Sequence, residues 1–458
     1  MRLNRFARSA SITTDIRKLP SDKHEFLNIE GILDRIAVRY PDGTVSKTMP
    51  ITIQITEACN LCCSYCFQIN KSPKTISYED CQKFIDYLLT RTPENCDYIN
   101  PKKNHMIVFG FVGGDALLEI DLIDKFLTYF VERAIELDHP WANNWVAHLD
   151  TNGVLYFDKR VQALAKKWPN TVSFCITVEG DKALHDKCRV FPNGSGSYEY
   201  AFKAAMDQFH KGRDLFSKIT TAPENIDYIY NAMVNMIDIG YTYIYSNPVY
   251  EDVWQDSDAT RYYHQLIRVA DYLIENDYYK TINVPILELY KYREYEALEA
   301  NICGGNGTML TLSHDRKLYN CYRFTSSALP SGTKLLDIGD IDNGIGATDS
   351  QKLNIQKLQS MCRLSCSDIE CLNCPIAENC NYCNGCNYHE LGDPGKKTKF
   401  HCLMHCASYL AAVYYYNNIE KKKGSSERYD ILISKDKIFR ILSEQEYNEL
   451  ILSWKEDK

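Results

Sequence analysis

No stretch of this chain stays apolar long enough to cross a membrane, and nothing near its start has the apolar segment of a secretion signal. A basic excess is missing as well. Against 52 lysines and arginines stand 60 aspartates and glutamates, a net charge of −8 that offers no general footprint for nucleic acid. Met1 to Lys18 carry four arginines and one acid, Asp15, and are expected to form a solvated tail or an arm on the body. These absences point to a cytoplasmic protein that binds neither membrane nor nucleic acid. What the chain has in quantity is cysteine and tyrosine, 19 and 33 residues. Eleven of the cysteines fall between Cys303 and Cys406. Disulfide frameworks belong mostly to small secreted domains, so in a 458-residue chain with no secretion signal metal ligation is favoured.

The apolar run Ile51 to Ile55 reads as a buried strand, and Cys59-Asn60-Leu61-Cys62-Cys63-Ser64-Tyr65-Cys66 follows it directly. Three thiolates on one tight loop suit three irons of a [4Fe-4S] cube and leave the fourth iron open to bind and activate a ligand. Taken alone, the loop is equally a zinc knuckle or a set of buried thiols, and Cys59-x-x-Cys62 offers a different register.

From residue 51 to about 250 strand-like and helical patterns alternate. The expected strands are Ile51–Thr56, Met106–Val112, Trp145–Asp150, Val172–Val178, Phe216–Thr220 and Tyr241–Tyr245. Between them the periodicity predicts helices over Ser77–Leu89, Ile120–Leu137, Asp158–Trp168, Tyr198–His210 and Ile226–Asp238. Such alternation implies an α/β fold with parallel pairing, an incomplete barrel whose chemistry sits at the carboxyl ends of the strands. Strand ends here carry Gly113-Gly114-Asp115, Thr151-Asn152-Gly153 and Thr177-Val178-Glu179-Gly180. Then come His185-Asp186-Lys187-Cys188-Arg189 and Gly194-Ser195-Gly196-Ser197.

In this order, the cysteine spacing and strand-end motifs resemble the radical S-adenosylmethionine (SAM) enzymes, specifically their peptide- and sulfatase-modifying branch. The resemblance implies a partial (β/α)6 barrel whose Cys59, Cys63 and Cys66 hold a catalytic [4Fe-4S] cluster. It places Gly113, Gly114 and Asp115 at the SAM amino group, where relatives carry Glu in place of Asp. It puts Thr151 and Asn152 near the ribose and carboxylate, with Thr177 and Glu179 beside them, Arg189 on the carboxylate and the Tyr65 backbone on the adenine.

Two helical patterns crowded with tyrosine, Asp258 to Asn276 and Val284 to Ala300, lead to the cysteine-rich third. A hairpin is expected from Met309–Leu312 and Lys317–Tyr319, followed by Cys321 and the array Cys371-x2-Cys374-x5-Cys380-x2-Cys383. This region resembles the SPASM extension of radical SAM enzymes, a small domain that holds two auxiliary [4Fe-4S] clusters. The resemblance gives Cys303, Cys321 and Cys383 to an inner cluster, and Cys371, Cys374, Cys380 and Cys402 to an outer one. Arg316 stands where the pattern usually has Gly, and the Cys380–Cys383 gap is two residues instead of three. Cys386 or an open position completes the inner site. Cys62, Cys362, Cys366 and Cys406 receive no role. The tail is expected as a solvated linker, Glu420–Ser426, a hairpin from Tyr429–Ser434 and Lys437–Leu442, and a helix.

The implied domains are an N-terminal arm (1–50), the barrel (51–250), a helical linker (251–302), the SPASM domain (303–410) and a C-terminal hairpin and helix (411–458). The implied activity is oxidoreductase chemistry on a ribosomally made precursor peptide, with SAM, three [4Fe-4S] clusters and an electron donor such as flavodoxin or ferredoxin. Thioether formation is favoured, and the resemblance extends to the subfamily that acts on precursors with repeated Cys-x-x-x units. Carbon–carbon crosslinking, epimerisation and anaerobic sulfatase maturation are the alternatives, and a non-enzymatic iron–sulfur or zinc scaffold is the contrasting class. Relatives that mature sulfatases carry Asp after the cysteine matching Cys321, whereas this chain has Tyr322.

Overall fold

The computed structural model describes residues 47–90, 98–102, 104–213, 216–289, 303–307 and 309–452. The N-terminal arm, most of the helix expected after Pro285, and Cys96 lie outside the described residues. All six expected strands form: β1 (Lys47–Thr56), β2 (Asn104–Gly113), β3 (Trp145–Thr151), β4 (Val172–Ile176), β5 (Phe216–Thr221) and β6 (Tyr243–Pro248). Pairing is parallel between β1 and β2, β2 and β3, β3 and β4, and β5 and β6.

Crossover helices cover the outer face. The first, α1 (Tyr78–Thr90), begins where the Ser77 hydroxyl accepts from the Asp80 amide at 3.0 Å, as the sequence around it predicts. Helix α2 (Ile120–Glu136) buries Ile120, Ile123, Phe126, Leu127, Phe130 and Ala134, one stripe at helical spacing. Phe109 of β2 meets Phe126 and Phe130 edge-on, with ring centroids 5.3 and 4.8 Å apart. Next come α3 (Lys159–Lys167), α4 (Lys182–Cys188), α5 (Tyr198–His210), α6 (Ile229–Ile239) and α7 (Asp256–Glu275).

The six strands do not make one continuous ladder. Strands β5 and β6 form a separate two-stranded sheet, and side chains stitch the seam beside β4. Glu179 Oε2 accepts from the Thr220 amide at 2.7 Å, and the Ser217 hydroxyl donates to Val178 O at 3.4 Å. The other edge is occupied too. The expected hairpin forms as β7 (Leu310–Leu312) and β8 (Lys317–Tyr319), and β7 pairs parallel with β1, Ile51 opposite Leu310. Two short strands, β9 (Gly339–Asp340) and β10 (Gly344–Ile345), extend this into an eight-stranded sheet. At the β7–β8 turn Arg316 has φ +69°, the left-handed region that explains the usual glycine there. Its guanidinium is held by Asp342 at 2.6 and 2.7 Å.

Two expectations are corrected. The tail has no hairpin. The helix that starts at Cys402 runs to Lys422, into the first three residues of the expected linker, and Lys435–Phe439 and Glu444–Leu452 are also helical. Ile438 is buried from the Lys435–Phe439 helix, and Ile441 and Leu442 are buried in the turn that follows it. After Val284 the chain makes a short 3-10 turn, Pro285–Leu287. A proline that lacks the N–H suits the first turn of such a segment.

Phe109→Ala removes the centre of the β2–α2 contact and is expected to cost about 3–5 kcal/mol. A lowered urea midpoint for the barrel's unfolding transition checks it.

Candidate iron–sulfur and SAM site

The Cys59 loop hangs off the carboxyl end of β1 and is clamped from three sides. Its Ala58 carbonyl accepts from the Asp115 amide at 2.9 Å. Its Cys62 and Ser64 amides donate to Val190 O and Cys188 O at 2.7 and 3.0 Å, at the end of α4. The Asn152 side chain donates to Asn60 Oδ1 at 2.6 Å. The Gly-Gly pair is required by this packing. A Cβ on Gly114 would lie 2.0 Å from Ala58 O and 2.7 Å from Cys59 Cβ, and one on Gly113 would lie 2.2 Å from Thr56 O.

Cys59, Cys63 and Cys66 share one neighbour, the Lys71 ammonium. Burial opposes its charge, while Cys66, Cys59 and Cys63 hold it protonated and raise its pKa. Burial pushes the Cys59 and Cys63 thiols up. Cys62 is exposed, which favours the register without it. No disulfide joins the described cysteines. Among the described residues no three Cys, His, Asp or Glu side chains gather as tightly as a single metal ion requires.

Asp115 is almost fully buried and satisfied by the protein itself. Its oxygens accept from the Leu117 amide at 3.0 Å, the Asn152 amide at 2.8 Å, and the Thr151 hydroxyl at 3.0 and 3.1 Å. Burial raises its pKa against these bonds. The carboxylate therefore ties strand ends together in this chain, and Thr151 and Asn152 belong to the same network. Thr177 joins it through its amide, which donates to Thr151 O at 3.1 Å.

Glu179, Tyr65 and Arg189 form a second group. The Tyr65 hydroxyl donates to Glu179 Oε1 at 2.6 Å, and Arg189 lies 3.4 Å from the same oxygen and 3.2 Å from the tyrosine oxygen. Burial raises the Glu179 pKa, with Arg189 opposing. The Arg189 Nε is buried without a partner, a donor aimed at nothing the protein supplies. The His-Asp-x-x-Arg and Gly-Ser motifs hold this arginine in place. His185 Nε2 meets the Ser197 hydroxyl at 3.0 Å, Ser197 donates to Arg189 O at 2.8 Å, and Asp186 accepts from the Tyr198 amide at 2.8 Å. Burial lowers His185 to about 3, so it works as a neutral spacer.

In the C-terminal region Cys303, Cys321 and Cys383 come together. Burial, then Cys383, pushes the Cys303 thiol up, and burial with Cys303 and Cys383 does the same to Cys321. Arg323 faces Cys383 and Cys386 and pairs with Glu251 at 2.9 Å. Cys371, Cys374, Cys380 and Cys402 line a single cavity together with Cys406 and Lys437. Cys406 sits one helical turn beyond Cys402, and its thiol hydrogen-bonds Cys402 and lowers that pKa. His401 lines the same cavity, its Nδ1 buried and without a partner. The sequence assigns no role to Lys71, Asn60, Cys406 or His401, whose only signal is nearness to the motif cysteines.

The geometry has counterparts among solved structures. One of anSMEcpe with bound AdoMet superposes at a TM-score of 0.60, 15% identical, over 82% of this chain and 99% of that one. Streptococcus suis SuiB bound to S-adenosylmethionine gives 0.50 and 14%, over 78% of this chain and 77% of that one. The chain shares its fold with these structures. The anSMEcpe structure with AdoMet and the Cp18Cys peptide shares that fold as well, at 0.58 and 15%, over 82% of this chain and 99% of the other. An uncharacterized protein of Methanocaldococcus jannaschii is 26% identical over 147 residues, 32% of this chain; the chain spans 44% of that relative's length. No family model matches.

Gly114→Ala has to displace the Ala58–Cys59 backbone. After anaerobic reconstitution it is expected to hold about four fewer irons per chain than the parent, one cluster's worth, by colorimetric iron assay.

Proposed function

We propose that the chain is a radical SAM oxidoreductase that modifies a ribosomally made precursor peptide, most specifically by joining cysteine sulfur to carbon. The observation that carries the reading is the convergence of Cys59, Cys63 and Cys66 on Lys71, with Arg189, its Nε unpartnered, near enough to act on the Cys63 thiol. This donor set fits a three-thiolate [4Fe-4S] cluster with an open iron. Bound there, the cluster would supply the electron that cleaves SAM to a 5′-deoxyadenosyl radical.

The chain's own residues do the positioning. Arg189 offers a planar donor to a carboxylate, and its charge is fixed by Glu179 and Tyr65. Asp115 holds the ends of β2 and β3 at a set spacing for the nucleoside instead of reaching the amino group with its short side chain.

Cys303, Cys321 and Cys383 would hold the inner auxiliary cluster, and Cys371, Cys374, Cys380 and Cys402 the outer one. Three gathered thiols at the inner site leave room for a substrate thiolate, which supports thioether formation. A cytoplasmic setting and a flavodoxin- or ferredoxin-type donor accompany this reading. The likeness to anSMEcpe favours sulfatase-type maturation as a second reading. Against it, Tyr322 packs its ring 5.3 Å from that of Phe67 at the position where such relatives carry Asp.

Cys63→Ala is expected to abolish reductant-dependent 5′-deoxyadenosine formation while keeping the C-terminal iron. Retained SAM cleavage would mean that Cys63 is not a ligand and the register is wrong. Arg189→Lys loses the planar fork and should weaken SAM binding by about 10–100-fold, read by equilibrium dialysis.

A further inference from the structure

An acid sits inside the barrel that none of the chemistry above uses. In β3, Trp145, Ala147 and Leu149 point into the main apolar core, while Val146 and His148 share the opposite face with Asp150. Asp150 is deeply enclosed, yet part of its surface remains solvent-accessible, as expected of a group facing an internal lumen. It lies opposite Cys175 of β4 in register and accepts a hydrogen bond from that thiol. The other charged or titratable groups around it are Lys218 of β5, Asp115 after β2, and Tyr322 beside the inner thiols. His148 is fully buried against the Ser173 hydroxyl at 2.7 Å and cannot meet a ligand.

We infer that Asp150 is the proton acceptor of the peptide modification, placed in the lumen between the Asn152 strand end and Tyr322. The inference rests on the radical SAM reading. For a thioether the balance is simple. The peptide carbon gives its hydrogen atom to the deoxyadenosyl radical. The peptide thiol gives its proton to the Asp150 carboxylate, and carbon and sulfur join. The one electron left over passes to an iron–sulfur acceptor, the oxidant class that the proposed reaction already requires. Burial lifts the Asp150 pKa to about 6 against Lys218 and Cys175, so the carboxylate is ionised at neutral pH with a raised proton affinity. This places a base on β3 in a chain that has a phenol where sulfatase-maturing relatives have an acid.

The test uses the reconstituted full chain, its Asp150→Asn and Asp150→Glu variants, and two probes: Cp18Cys and a synthetic peptide with three Cys-Ala-Ala-Ala units. Asp150→Asn is expected to make 5′-deoxyadenosine within about threefold of the parent but modified peptide about 100-fold less, the usual worth of a general base. Asp150→Glu should recover at least about a tenth of the parent's product. Parent product per 5′-deoxyadenosine should rise with pH through about 6, since only the ionised carboxylate accepts. Parent-like product from Asp150→Asn overturns the inference and leaves the SAM reading standing. A parent that makes no 5′-deoxyadenosine overturns the SAM reading, and the inference with it. If neither probe turns over, pH-difference infrared spectra of parent against Asp150→Asn decide. A carboxyl midpoint near 6 supports the base, and one near the usual value of about 4 overturns it. Folding is not the confounder, because above pH 6 the buried charge is unfavourable and a neutral isostere should leave the unfolding midpoint unchanged or higher.

Discussion

The buried carboxylate of Asp115 is the fastening on which the rest of the site depends. Its own amide reaches the loop after β1, its position follows β2, and its oxygens take donors from the end of β3. One residue, through its amide and its side chain, thus sets the separation of three consecutive strand ends. A buried ionisable group is costly unless its hydrogen-bonding capacity is used, and here it is. The two preceding glycines are the counterpart of that fastening, because only residues without a Cβ let the loop come so close.

Around this frame the protein places charge where water is scarce. Burial alone disfavours the thiolate at Cys59, Cys63, Cys303 and Cys321. Lys71, Arg189 and Arg323 partly offset this from fixed positions, two of them braced by Glu179 and Glu251. The arrangement resembles a socket more than a structural core, since full stabilisation of those sulfurs awaits a further positive centre.

Much of this was legible in the chain. The six strands and their helices announce themselves because one-sided and two-sided burial leave different periods in the sequence. The Gly-Gly-Asp and His-Asp-x-x-Arg runs were legible as members of a site. What each member does was not. Asp115 and Glu179 read as groups facing a cofactor, but both are largely occupied with protein donors from segments far along the chain. The seam between β4 and β5 and the pairing of β7 with β1 were invisible, since a contact between residues 51 and 310 leaves no local pattern. Asp150 was hidden inside a strand, although a lone acid in an apolar run was the available signal. The tail was misread because Ile438, Ile441 and Leu442 are too few to declare a period.

The junction of β7 with β1 also dictates an order of events during synthesis. The strand that carries the first cysteines emerges from the ribosome early, but one of its edges stays open until Leu310 has been made. An exposed parallel edge is a hazard for mispairing, and a contact spanning so many residues forms late. The surroundings of the Cys59 loop are therefore completed only when most of the chain has been translated, once the β1 edge is sealed and the cysteine-rich region is at hand.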